Sequence, residues 1–595
     1  MSPIVWLGAA ALAFVVVGGV LELRAGPVRP DTLGALPPAF PAVPSAPRGA
    51  SGSRRLPTTA VLFAGCCALY LVVGGYLVLQ RGSLVGDAEA RVAQAWYVVA
   101  SRDPHLAALG FVWNPLPSVA AIPLVLLRGV WPALTQRAFA GSIVSALCMA
   151  GAVVQLRAAL RAVGTSRPIA VVLTACFALN PMILYYGANG MSEAMYLLLL
   201  IGTTRYLLEW TTTGRPRALI LTGVNLALAY LTRYEALAAA LAVGAVVLVV
   251  GTVARNRARP RRARLAAAGT DLVVVMFPVV VAFAAWTIVS WVIIGQPFAQ
   301  FTSQYGNASL IRAAGGVAGA NVSGWPPVVL AFVRVASYAP LLVLVLAVVA
   351  YVTVRRRDRR VLALVPLAGP LAFSLASFLG GQTYGWFRFY LPVLPLYLLA
   401  AALALSPLPR MRPATPRWLV RDPLVAVAVA LVIGLPGILS TGSAMGDVRI
   451  APVEQAALGW VFRPAHSAAE RQWQGQLPST EKIAAAIDRL GLGDSSIAVD
   501  TFGCGSLIVL ASRHPHQFVI TSDRDFERIV ADPVPFHVPY LLVPDAYTGI
   551  DAVDRAHPGI FDGGQVGTLS TAVAAQYEST SCPTYRLIRV TGDGS

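Results

Sequence analysis

Apolar runs of about twenty residues recur along this chain, separated by short polar stretches. They fall near 3–22, 57–79, 137–157, 168–187, 191–209, 218–232, 234–254, 270–294, 327–353, 361–380, 388–407 and 420–440. A helix rises about 1.5 Å per residue, so roughly twenty residues cross a hydrocarbon core of about 30 Å. The pattern predicts a polytopic α-helical membrane protein with about twelve transmembrane helices. A further apolar stretch, 117–131, is shorter and contains Pro123. It is expected to lie parallel to the membrane or to insert halfway, within an outer loop.

After residue 440 the pattern changes. Helix-like polar segments such as 478–491 alternate with strand-like ones at 495–500, 517–520, 539–543 and 584–590. That alternation predicts a small α/β domain. The expected division is an N-terminal helix with a Pro/Ala/Gly-rich loop at 1–56, a membrane domain at 57–440, and a tail domain at 441–595.

Composition agrees with a membrane chain, at 56% hydrophobic and 12% charged. The net charge of +18 is mostly arginine gathered in short loops. With twelve spans, the loops holding Arg24 to Arg55, Arg157 to Arg167, Arg215 and Arg217, Arg255 to Arg264, Arg355 to Arg360 and Arg410 to Arg421 all fall on one side. By the positive-inside rule that side is cytoplasmic, so the basicity reflects topology and not nucleic acid. Counting 117–131 as a span would invert every later basic loop. The first run lacks the basic leading segment of a signal peptide, so an uncleaved first helix is expected. The outer face then carries loops 80–136 and 295–326, a short link at 381–387, and the tail. The location implied is the plasma membrane, multi-pass, with an extracytoplasmic C-terminal domain. Outside the cell, Cys504 and Cys582 form a candidate disulfide, whereas Cys66, Cys67, Cys148 and Cys176 lie in apolar runs. The arginine bias and the single lysine, Lys482, read as a GC-rich bacterial genome.

Candidate chemistry concentrates in the first outer loop. Asp87-Ala-Glu89 falls about one turn past the end of a span, where a carboxylate avoids the cost of hydrocarbon burial yet stays near lipid headgroups. The following ARVAQAWYVVA suits an interfacial amphipathic helix. An ordinary solvated loop explains the same residues. Elsewhere, His105 has no evident partner, and His514 and His516 lack a metal-ligand framework. Asn307 and Asn321 match the glycosylation-acceptor pattern.

At this point the sequence resembles the GT-C superfamily of glycosyltransferases, the protein O-mannosyltransferases and aminoarabinose transferases among them. The resemblance rests on GDAEAR after a span, the Trp113-Asn114-Pro115-Leu116-Pro117 turn, Asn180-Pro181, NGMSEAMY with Glu193, LTRYEAL with Arg233 and Glu235, and YGWFRFYLPVLP with Tyr384 and Arg388. It covers roughly residues 57–440. It implies a GT-C-like membrane domain that moves a sugar from a polyprenyl-phosphate donor to a cell-envelope acceptor (glycan, lipid or protein) at the outer face, with inversion.

The resemblance further implies Asp87 as general base, with Glu89's role open because Ala88 separates two acids that are often adjacent in the family. Arg388 and Arg233 are implied as donor-phosphate ligands, since a guanidinium grips phosphate bidentately. Glu193, Glu235, Trp113, Asn114 and Tyr384 are implied substrate-site residues. Plainer readings stand beside these: headgroup snorkelling for Arg388, an ion pair with Glu235 for Arg233, and helix capping for Glu193. No cofactor is certain, and a divalent metal ion stays open because only some family members need one. Mannose or arabinofuranose leads the guesses for the sugar if the source is actinobacterial. Two other classes compete. A transporter would place ionisable residues near the bilayer midplane and show repeat symmetry. A non-catalytic platform for envelope assembly would not depend on Asp87.

Overall fold

The computed structural model describes residues 58–255, 260–302, 323–356, 358–406, 423–545, 551–567 and 569–591. The expected first helix at 3–22, the loop after it, the arginines at 410–421, and Asn307 and Asn321 lie outside the described residues.

The membrane part is built from α1 (Thr58–Gly74), α2 (Gly86–Ala100), α3 (Leu116–Val125), α4 (Phe139–Ala162), α5 (Arg167–Ala178), α6 (Pro181–Tyr186), α7 (Glu193–Thr213), α8 (Pro216–Tyr230), α9 (Ala236–Val249), α10 (Arg261–Ile294), α11 (Pro327–Tyr338), α12 (Leu342–Arg356), α13 (Val365–Leu379), α14 (Val393–Leu405) and α15 (Pro423–Met445). Helices lie under eleven of the twelve expected runs. Seven are long and apolar enough to cross a membrane, or eight if the pair α11–α12, bent by 75°, is one span. The shortfall from twelve has visible causes. The run at 168–187 breaks before Pro181 into α5 and α6, because proline disfavours a helical residue before it. Helix α8 has only 15 residues, and α7 carries Glu193, Arg205 and Glu209. The stretch at 117–131 forms α3 and a short 3-10 turn, together too short to cross.

The tail holds α16 (Pro452–Phe462), α17 (Ala468–Gln474), α18 (Gln476–Asp488), β1 (Ile497–Val499), α19 (Cys504–Ala511), β2 (Phe518–Ile520), α20 (Phe526–Ala531), β3 (Tyr540–Pro544), α21 (Ala552–Ala556), β4 (Ser570–Tyr577) and β5 (Tyr585–Thr591). The strands form one sheet in the order β2-β1-β3-β5-β4. β1 pairs in parallel with β2 and β3, whereas β5 is antiparallel to both β3 and β4. The three short parallel strands are almost wholly buried, as crossover helices on a parallel sheet require. Cys504 at the start of α19 is disulfide-bonded to Cys582, with Cα atoms 6.0 Å apart.

The 80–136 loop is gripped by the tail. Ser83 donates to Gln474 at 2.6 Å, Arg102 pairs with Asp523 at 3.0 Å and with Asp525, Asp103 pairs with Arg524 at 2.6 Å, and Arg137 pairs with Glu481 at 2.9 Å. Helix α2 therefore differs from the expected interfacial helix. Trp96 and Tyr97 are buried, and the Trp96 ring meets His516 of the tail edge-on at 6.4 Å. A second protein layer covers the aromatic face that sequence alone assigns to lipid headgroups.

Candidate active site

Helix α2 starts without a side-chain cap, and its first turn carries Asp87 and Glu89, whose charges suit the positive end of a helix. Successive residues turn by about 100°, so positions 87 and 91 share a face while position 89 points the opposite way. The contacts follow that geometry. Asp87 Oδ2 accepts a hydrogen bond from Arg388 Nη2 at 2.8 Å. Glu89 Oε1 accepts one from Ser506 Oγ, on α19 of the tail, at 2.6 Å.

From Asp87 an alternating row of charges runs into the protein. Arg388 Nε lies 3.4 Å from Glu193 Oε1, the same oxygen accepts from Arg233 Nη1 at 2.8 Å, and Arg233 Nη2 donates to Glu235 Oε1 at 2.9 Å. Asp87 is the accessible end, its side chain 38% exposed against 10% for Arg388 and 4% for Glu193. Three carboxylates hold two guanidiniums, so each arginine is fixed in place before any ligand arrives. A small open pocket lies beside them, lined by Glu193, Arg233, Glu235 and Arg388 and walled by Phe389, Pro392 and other apolar residues. Glu193 Oε2 is buried with no hydrogen-bond partner in the structure.

Arg388 owes its position to a rigid turn in the 381–387 link. Buried Arg334 donates to the Gly385 carbonyl at 2.6 Å and to the Ile450 carbonyl at 2.9 Å. Tyr338 donates to the Phe387 carbonyl at 3.0 Å and stacks on the Phe387 ring at 4.4 Å. Gly385 has φ +62°, and a Cβ there would sit 2.3 Å from the Phe378 ring. Only glycine fits.

The remaining expected site residues separate into three groups. Glu193, Glu235 and Arg233 join Asp87 and Arg388. Asn114 does not: it is buried, and its amide donates to the Tyr230 carbonyl while the Leu116 amide donates to the Leu231 carbonyl at 2.9 Å. The 113–117 turn is thereby sewn to the end of α8. Trp113 lies under the Arg91 guanidinium at 5.2 Å. Tyr384 stacks on Trp386 at 5.1 Å, and Trp386 meets Trp473 of the tail edge-on at 5.9 Å. This aromatic group sits at the same link as Arg388, and the Phe389 amide donates to the Trp386 carbonyl at 2.9 Å.

Glu89 occupies a different environment from Asp87. It is 4% exposed, and burial pushes its carboxyl up to about 8, with the Ser506 hydrogen bond opposing and the Asp87 charge adding to the rise. Because Asp87 turns to Arg388 and Glu89 to the tail, the two do not offer a shared pair of ligands to one ion. Among the described residues no group of three His, Cys, Asp or Glu side chains converges as a metal site would. Two residues near this group that the sequence alone does not single out are Arg91 and Ser506. The first has only its spacing of four from Asp87 as a signal; the second has no local signal.

No family model matches the chain, and no characterised protein matches it by sequence. Among solved structures it is similar to ArnT from Cupriavidus metallidurans bound to undecaprenyl phosphate, at 15% identity and a TM-score of 0.49, covering 90% of this chain and 98% of that one. It is similar to the arabinofuranosyltransferase AftD from Mycobacteria at 17% identity and a TM-score of 0.42, covering 89% of this chain and 41% of AftD. The archaeal oligosaccharyltransferase AglB from Archaeoglobus fulgidus, in complex with an inhibitory peptide and a dolichol-phosphate, is similar at 12% identity and a TM-score of 0.39, over 82% of this chain and 69% of AglB.

Proposed function

We propose that the chain is a membrane glycosyltransferase that takes a sugar from a polyprenyl-phosphate donor and passes it to a cell-envelope acceptor at the outer face. The observation that carries this reading is the Asp87–Arg388 contact at 2.8 Å. It joins a partly exposed carboxylate to a buried guanidinium from a loop 301 residues away, beside a cavity with apolar walls. A base for the acceptor and a cation for the leaving group thus lie side by side, as the reaction requires.

In this mechanism the donor phosphate approaches Arg388 and competes with Asp87 for it, so donor binding releases the carboxylate. Asp87 then accepts the proton of the acceptor hydroxyl. The acceptor oxygen attacks the anomeric carbon from the face opposite the phosphate, and the carbon–oxygen bond to phosphate breaks with its electron pair going to the phosphate oxygen. The sugar is inverted. Arg388 and Arg233 meet the growing charge on the leaving phosphate with preorganised donors, which cost no reorganisation at the moment of reaction. Glu193 keeps both guanidiniums in line. In this reading the tail lies on the outer side with loop 80–136 and packs next to the site through Ser506.

Purified full-length protein supplied with radiolabelled polyprenyl-phospho-mannose or polyprenyl-phospho-arabinofuranose and a cell-envelope extract is expected to deposit label on the extract. Failure to consume any polyprenyl-phospho-sugar sinks the proposal and favours a non-catalytic platform.

A further inference from the structure

We propose that Arg91 is a phosphate-binding residue, its guanidinium edge facing a second cavity next to the charge row. Arg233 and Arg388 each hold a carboxylate. Arg91 holds none, although it is only 7% exposed, and its Nε and Nη1 are buried without a hydrogen-bond partner. A buried charge without a partner is costly, and native structures keep one only where a ligand, ion or water completes it.

The surroundings fit an oxyanion. The guanidinium lies over the Trp113 ring at 5.2 Å, a stacking that fixes its plane and leaves its edge N–H groups free to form a fork. Arg91 lines a small open pocket with Gly141, Gly190 and Ser192. The glycines matter here: a Cβ on Gly190, which has φ +84°, would meet Ala88 and Gly141 at 3.3 Å. Ser192 lines this cavity, and Glu193 lines the first. Burial lowers the Arg91 pKa to about 10, so the group stays charged at neutral pH. Asp87 and Arg91, one turn apart on α2, therefore offer a base and an oxyanion ligand from one helix face.

The ligand class is a phosphate mono- or diester. Identifying it as the sugar carrier rests on the glycosyl-transfer reading; the anion site does not. The test uses full-length protein in phosphatidylcholine nanodiscs, with undecaprenyl phosphate, phosphatidylglycerol or inorganic phosphate as probes, followed by tryptophan fluorescence and by thermal shift. Arg91→Gln is expected to weaken binding at least tenfold and Arg91→Lys by less. Arg91→Lys keeps the test open if Arg91→Gln does not fold. A dependence on Arg91 with any of the three probes supports the site, and the probe bound most tightly names the source. Binding in Arg91→Gln within threefold of wild type overturns the proposal. Arg91-dependent binding in a protein that transfers no sugar leaves the site standing and removes the catalytic reading alone.

Discussion

Asp87 and Glu89 are two residues apart, carry the same chemistry, and end in opposite environments. The sequence shows the pair and its place after a span, and the family resemblance selects Asp87, but only the packing separates their roles. Asp87 meets Arg388, and Glu89 is closed in by the tail and bonded to Ser506. The separation has a pH signature. Because burial raises the Glu89 carboxyl to about 8, the folded chain holds a proton there that the unfolded chain has already lost. Its contribution to stability is full in acid and is lost as pH rises through about 8. Thermal unfolding of Glu89→Gln, scanned from pH 5 to 9, is expected to show a flatter profile than wild type. Equal slopes in the two proteins contradict this account of Glu89. Arg91 shows what spacing alone reveals, since its place one turn after Asp87 is legible without any structure, whereas its missing partner is not.

At the scale of elements, the apolar runs located almost every membrane helix, because a period-free apolar stretch bounded by polar loops has few other ways to fold. Length was less legible. The breaks at Pro181 and Pro340 divide runs that composition reads as continuous, and α3 stops short of a crossing. In the tail, four strands match the strand-like segments expected, while β4 went unseen because its alanine-rich, largely exposed edge position gives no strong alternation. The link at 381–387 follows from the count of spans, but the reason for its shape lies in Gly385, Arg334 and Tyr338. Gly385→Ala forces a side chain against Phe378 in a left-handed turn. It is expected to cost about 2 kcal/mol or more and to lower transfer at least tenfold by displacing Arg388. Calorimetry paired with the transfer assay checks both, and unchanged activity in this variant contradicts the turn's positioning role.

On the scale of the molecule, the tail is part of the site's construction. It clamps loop 80–136 by ion pairs and reaches helix α2 through Ser506, just after the disulfide at Cys504. That dependence joins residues more than 400 positions apart, beyond what any local pattern conveys. Closing a loop with a sequence separation of 78 stabilises the tail by about 4 kcal/mol in the chain-entropy view. Reduction of Cys504–Cys582 is therefore expected to expose the tail to protease at a lower temperature and to slow transfer, as measured by limited proteolysis and initial rates with and without dithiothreitol. Insensitivity of both to reduction contradicts the tail's supporting role. The central claim is that Asp87, and not Glu89, performs the chemistry. Its most direct test is the initial rate of sugar transfer from a labelled polyprenyl-phospho-sugar by Asp87→Asn and Glu89→Gln, each folded as wild type. The account predicts a loss of at least a hundredfold in Asp87→Asn with Glu89→Gln retaining a tenth or more of the rate. Transfer at the wild-type rate in Asp87→Asn would contradict it.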